Sequence, residues 1–192
     1  LSQWSAFGGQ VGYTVLATNY GACVSSPNSL WFGDDYSRFA TTRPLNTTRG
    51  GAISFYLRLG DGLSAKWGQV KLPDKGVVLE YLANGGTNWT EISRFINKNF
   101  YGWTPVLLSI PVAAQGPSVQ FRWRQLSSIG MDVWNQWALD DVLIWTGPMP
   151  PTIAAQPSDQ TAPVRGTATF TVNTAGSVPL FHQWRFNGVD LA

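Results

Sequence analysis

Charge is scarce in this sequence: 13 Lys and Arg and 11 Asp and Glu make up 12% of 192 residues, with a net charge of +2. No Lys/Arg run exists to neutralise a phosphate backbone, which argues against a nucleic-acid partner. Apolar runs are short, well below the roughly 20 residues a membrane-spanning helix needs, so membrane insertion is not expected. Cysteine occurs once, at Cys23, so no disulfide can form within the chain and no cysteine-based zinc spacing exists. Cys23 reads as a small buried thiol, not a reactive one. Histidine also occurs once, at His182, with no candidate nucleophile or metal partner beside it. Acidic residues are few, and no two are placed by strand spacing to oppose each other across a cleft, as glycoside hydrolysis requires. The Gly50-Gly51 and Gly85-Gly86 pairs lack the strand–GxGxxG–helix context of a nucleotide site. Together these absences leave little for catalysis, and the chain is not expected to be an enzyme.

What the sequence has in quantity is aromatic surface and punctuation. Aromatics reach 14% with ten Trp, and 20 Gly and 12 Pro separate short apolar runs. That pattern predicts an all-β chain with many turns. Strands are expected near Trp4–Phe7, Tyr13–Ala17, Ser29–Phe32, Arg38–Arg43, Ala52–Leu59, Val77–Leu82, Trp89–Phe95 and Val106–Ile110. In Ala52–Leu59 the residues Ile53, Phe55, Leu57 and Leu59 alternate with Ser54, Tyr56 and Arg58, which predicts one buried and one open face. Asn84-Gly85-Gly86 predicts a hairpin. The stretch from Ser118 to Trp145, SVQFRWRQLSSIGMDVWNQWALDDVLIW, predicts two more strands joined by a longer loop. In the second of these, alternation groups Ala138, Asp140, Val142 and Ile144 on one face, and Trp137, Leu139, Asp141, Leu143 and Trp145 on the other. A carboxylate at Asp140 among apolar positions needs a partner: a hard metal ion, a cationic side chain or a ring of backbone amides.

FRWRQ followed by QWALDDVLI resembles the end of a reelin subrepeat. Upstream, SSPNSLWF, RFATTRPLNTT, AISFYLRLG and VVLEYLANGGTNW resemble successive reelin-type segments in the same order, so the likeness spans residues 1–147. It implies a jelly-roll β-sandwich similar to many carbohydrate-binding modules, in an extracellular or cell-surface protein. It also implies a structural calcium ion whose ligands include the Asp preceding the last hydrophobic strand. Asp140 matches that position, with Asp141 its neighbour; Asp34 and Asp61, on Gly-flanked loops, are further candidates. The family's pairing of a cysteine near Cys23 with a later one is missing here. After Trp145 the Pro-rich run Gly147-Pro148-Met149-Pro150-Pro151 reads as a linker. Residues beyond it resemble the first part of a bacterial immunoglobulin-like domain, through Gln156-Pro157, a strand over Gly166–Val172 and Gln183-Trp184. The divisions expected are thus 1–147 for the sandwich and 148–192 for linker and incomplete domain, within a longer chain of further domains.

If the three strands share a sheet, their outward residues form one polar band: Ser54, Tyr56 and Arg58; Val78, Glu80 and Leu82; Gln120, Arg122 and Arg124. Planar rings and forked donors are what a pyranose face and vicinal hydroxyls need. The same band also fits the solvated side of an antiparallel sheet. Trp67, Tyr101, Trp103 and Trp134 fall on predicted loops and are candidates for an aromatic platform, whereas Trp89, Trp123 and Trp137 read as packing residues. The expected function is that of a non-catalytic carbohydrate-binding module with polysaccharide as partner. The rival is a protein-binding adhesion or spacer module.

Overall fold

Ten of the strands form two five-stranded antiparallel sheets, and the alternation in the sequence explains why they stack. A computed structural model describes residues 2–8, 15–20, 23–33, 37–83, 85–126, 135–148, 150–177 and 179–191. The strands are β1 (Trp4–Phe7), β2 (Val15–Thr18), β3 (Ser29–Phe32), β4 (Phe39–Thr42), β5 (Gly51–Leu59), β6 (Val77–Leu82), β7 (Thr90–Phe95), β8 (Thr104–Ser109), β9 (Gln120–Gln125) and β10 (Trp137–Thr146). Their order is β1-β4-β9-β6-β7 in the first sheet and β2-β3-β10-β5-β8 in the second. This is a jelly-roll β-sandwich, and the strands lie within a few residues of the sequence expectation.

Side chains at every second position meet between the sheets. From β5 come Ile53, Phe55, Leu57 and Leu59, and from β9 come Phe121 and Trp123, all with at most 1% of their surface exposed. Trp137 stacks on Phe32 with ring centroids 3.9 Å apart, and Trp123 meets Phe55 edge-on at 5.2 Å. Both tryptophans are therefore packing residues, as the sequence suggests. Gly51, where β5 starts, has φ of 135°, and a Cβ there would lie 1.8 Å from the carbonyl oxygen of Trp145. Only glycine lets β5 and β10 approach so closely.

The long strand β10 breaks its own alternation. Asp140 pairs with Tyr56 but Leu143 pairs with Ser54, so β10 carries one residue more than β5 over that interval. The insertion is a β-bulge, which bends the strand and shifts its side-chain phase. Before it, Trp137 and Leu139 face the core; after it, Val142 and Ile144 pack on the core instead. The two faces predicted by strict alternation are corrected accordingly: Leu143 and Trp145 are exposed, at 58% and 51%.

Beyond β10 the chain forms two small ribbons, β11 (Thr152–Ala155) with β12 (Asn173–Ala175) and β13 (Arg185–Phe186) with β14 (Val189–Asp190). The strand expected over Gly166–Val172 is not formed, those residues having no ladder partner. Large apolar side chains there stay open, Phe181 at 90% and Val164 at 94% among them.

Candidate functional site

Cross-strand pairing lays the outer face of the first sheet out as rows. One row runs Phe39, Arg124, Val78, Arg94; the next runs Thr41, Arg122, Glu80, Glu91. Residues directly opposite or diagonal in such a grid are within reach of long side chains. Glu80 uses this fully. Its Oε2 accepts from Arg122 Nε and Nη2 at 3.0 and 2.7 Å and from Arg124 Nε at 3.1 Å, while Oε1 accepts from Arg124 Nη2 at 2.6 Å. Burial pushes the Glu80 carboxyl up, but the hydrogen bonds and charge of Arg124 and Arg122 outweigh it, leaving the group below the ordinary carboxylate range. Above this ion pair, the Arg122 guanidinium lies 4.0 Å from the centre of the Trp89 ring, with Phe39 on another side at 5.9 Å. Glu91 is held separately by Arg94 at 2.7 Å. The sequence-based candidates Glu80, Arg122 and Arg124 are thus brought together.

Arg58 and Tyr56 are not with them. Their strand, β5, belongs to the second sheet, so the expected three-strand band is corrected to a two-strand one. Alternation reports which residues share a face of a strand, not which sheet the strand joins. Arg58 sits on the outer side of the second sheet, its guanidinium 3.9 Å above the Trp67 ring and 3.7 Å from Asp61. Burial lowers its pKa, with Asp61 acting in the opposite sense. Trp67 is not an exposed platform: it is 2% exposed and forms a second small core with Trp31 and Ala138, and Trp103 packs against it. The loop carrying Trp67 is fixed by Trp31 Nε1 donating to the carbonyl of Lys66 at 2.9 Å. Tyr101, also expected on a loop platform, packs on the main core and donates to the Val70 carbonyl. Trp134 and Asp34 lie outside the described residues.

Asp140 has found the backbone-amide partner that its position left open. Oδ2 accepts from the amides of Val24 and Ser25 at 2.6 and 3.2 Å, and Oδ1 from the amide of Asp141 at 2.8 Å. Backbone amides therefore hold both oxygens, two on Oδ2 and one on Oδ1. Asp141 accepts from the Ser25 hydroxyl, and Asp61 accepts the Leu63 amide in a local turn. Among the described residues no three acidic, His or Cys side chains gather. As placed, Asp140 takes backbone amides as its partners and ties the half-buried Cys23 loop to β10. Beside it, where β10 bends away from β3, a cleft of about 490 Å³ opens, lined by Trp4, Asn28, Leu45, Asp141 and Ile144 among others.

Two side chains of the arginine cluster escaped the sequence reading. Trp89 reads from the sequence as a packing residue, yet Thr90 pairs with Tyr81, so Trp89 falls beside Leu82 on the outer face. Strict alternation from the buried Phe95 puts Trp89 inward, and the extra residue that β7 carries between Ser93 and Glu91 reverses that parity. Phe39 belongs to a strand whose neighbour, β9, is distant in sequence, and no local signal reveals that contact.

Residues 16–145 match reelin subrepeat B, and the chain belongs to that family. Among solved structures it is similar to a family 16 carbohydrate-binding module, at 14% identity and a TM-score of 0.44, over 72% of this chain and 89% of the other. It is similar also to TmCBM61, solved in complex with β-1,4-galactotriose, at 14% identity and a TM-score of 0.47, over 74% and 88%. A third is the K3 cleaved adhesin domain of Lys-gingipain from Porphyromonas gingivalis, at 12% identity and a TM-score of 0.48, over 73% and 94%.

Proposed function

We propose that this reelin subrepeat B chain is a non-catalytic carbohydrate-binding module of a larger secreted or cell-surface protein. It holds polysaccharide on the outer face of its first sheet, at Arg122, Arg124 and Trp89, with Glu80 as the brace. Residues 148–192 serve as a Pro-rich linker and part of an immunoglobulin-like domain. The observation that carries the reading is the Arg122 guanidinium, pinned by Glu80 and stacked 4.0 Å over Trp89. Long arginines normally lose rotamer freedom when they bind; here that loss is already taken in the free protein, so less affinity is forfeited. A ring beside forked donors matches a pyranose, which presents one apolar face and a rim of hydroxyls.

Native affinity electrophoresis through gels containing soluble polysaccharides tests this. Retardation by at least one polymer is expected, lost in Arg122→Ala and Trp89→Ala and kept in Tyr56→Ala, whose side chain lies on the other sheet. Free migration through every polymer overturns the reading. That result would favour protein binding, for which the exposed apolar side chains Leu107, Leu143 and Trp145 on the second sheet offer a contact area.

A further inference from the structure

Resting on that reading, we infer that the saccharide taken by this face is acidic, carrying carboxylate or sulfate groups. The charges on the five strands of the first sheet are Arg94, Arg122 and Arg124 against Glu80 and Glu91, an excess of one cation. How the charges are exposed matters more than their sum. The Glu80 side chain is 8% exposed, while Arg122 is 18% and Arg124 is 35% exposed. All four contacts on the Glu80 oxygens come from the arginines beside it, so the anion is turned inward and an approaching ligand meets guanidinium. Arg122 Nη1 has no protein partner among the described residues, and Arg124 Nη1 has only the Gln125 carbonyl at 3.3 Å.

The neighbours sharpen the choice. Phe39, Thr41, Val78, Leu82, Trp89 and Gln120 carry no charge, so no further carboxylate on these strands competes for the arginines. Arg94 and Glu91 neutralise each other at the margin. A neutral sugar would offer these donors hydroxyl oxygens, whereas a uronate or a sulfate ester offers an anion that the Nη1 ends left over by Glu80 meet with charge-assisted bonds about twice as strong. The arginines are partly buried and held at contact distance, so physiological salt weakens remote steering far more than it weakens this grip.

The test compares the full chain on polygalacturonate and on the same polymer after reduction of its carboxylates to alcohols, with a sulfated galactan as a third arm, by isothermal titration at about 0.15 M salt. Binding of at least one anionic polymer about tenfold tighter than the neutral one is expected, the size of one charge-assisted contact. Arg124→Gln, which removes the excess cation but keeps an amide donor, should bring the two forms to near parity, with circular dichroism at the assay temperature showing it folded. Equal or tighter binding of the reduced polymer overturns the acidic preference and leaves the carbohydrate reading standing. No binding of any polymer overturns both. Acidic-polymer binding unchanged in both Arg124→Gln and Arg122→Gln places the anion elsewhere and also overturns the inference. The parent comparison decides the question even if a variant fails to fold.

Discussion

Glu80 and Asp140 are both acidic residues in the sandwich, with opposite partners, and the sequence distinguishes them poorly. Glu80 sits at an outward position of β6 and is claimed by two arginines of β9. Its pKa is lowered in the fold, so its stabilising contribution is complete above the unfolded value, about 4.3, and is lost as pH falls through the folded value. Unfolding midpoints measured from pH 7 down to acid should therefore fall below roughly pH 4.5 in the parent and less steeply in Glu80→Gln; parallel curves would show that the ion pair contributes nothing. Asp140→Ala strands the amides of Val24, Ser25 and Asp141 without an acceptor and should cost about 3 kcal/mol in denaturant titration. The outward placement of Glu80, Arg122 and Arg124 was legible because period-2 alternation is local. The partner of Asp140 was not, because Val24 and Ser25 lie more than a hundred positions away and a carboxylate accepts from amides as readily as it binds a cation.

At the scale of elements, strand existence followed from alternation and turn residues, whereas sheet membership did not. Arg58 illustrates the gap: its alternation with Leu57 and Leu59 fixed an outward side chain, but a jelly roll sends successive strands to different sheets, so outward for β5 and outward for β6 point away from each other. The bulge in β10 is a second case, since one extra residue reverses the parity of everything after it. Asp141 sits there with φ of 46°, a conformation that Asp tolerates and β-branched residues resist. Asp141→Val should therefore destabilise by about 1–2 kcal/mol, while Asp141→Gly should stay near the parent, losing only the Ser25 contact. If both variants melt alike, backbone conformation is not what fixes Asp at the bulge.

For the whole molecule, the two parts of the chain differ in how they close their apolar surface. The sandwich buries most of its own, with Trp123, Trp137 and the β5 aliphatics inside two stacked sheets and Trp67 under Arg58 in a small second core, and leaves Leu63, Val112, Leu143 and Trp145 outside. Residues after the linker leave theirs open: Phe181, Phe186 and Val189 are exposed at 90%, 68% and 69% on short ribbons. Backbone held by few buried contacts opens more often, and proteases cut the open form. Limited digestion of the native chain should therefore cleave within 150–191 first and leave a resistant fragment holding β1 to β10. The same fragment addresses the metal. With backbone amides holding both oxygens of Asp140, a chelator should not change its melting midpoint, and added calcium should not raise it. A midpoint that drops with chelator and is restored by calcium would mean that the Val24–Ser25 loop rearranges to expose Asp140, and the amide-bound arrangement would then be the metal-free state of a calcium site. First cuts inside β5 or β9 would mean instead that the sandwich is not the more stable part, and its two cores would not explain its stability.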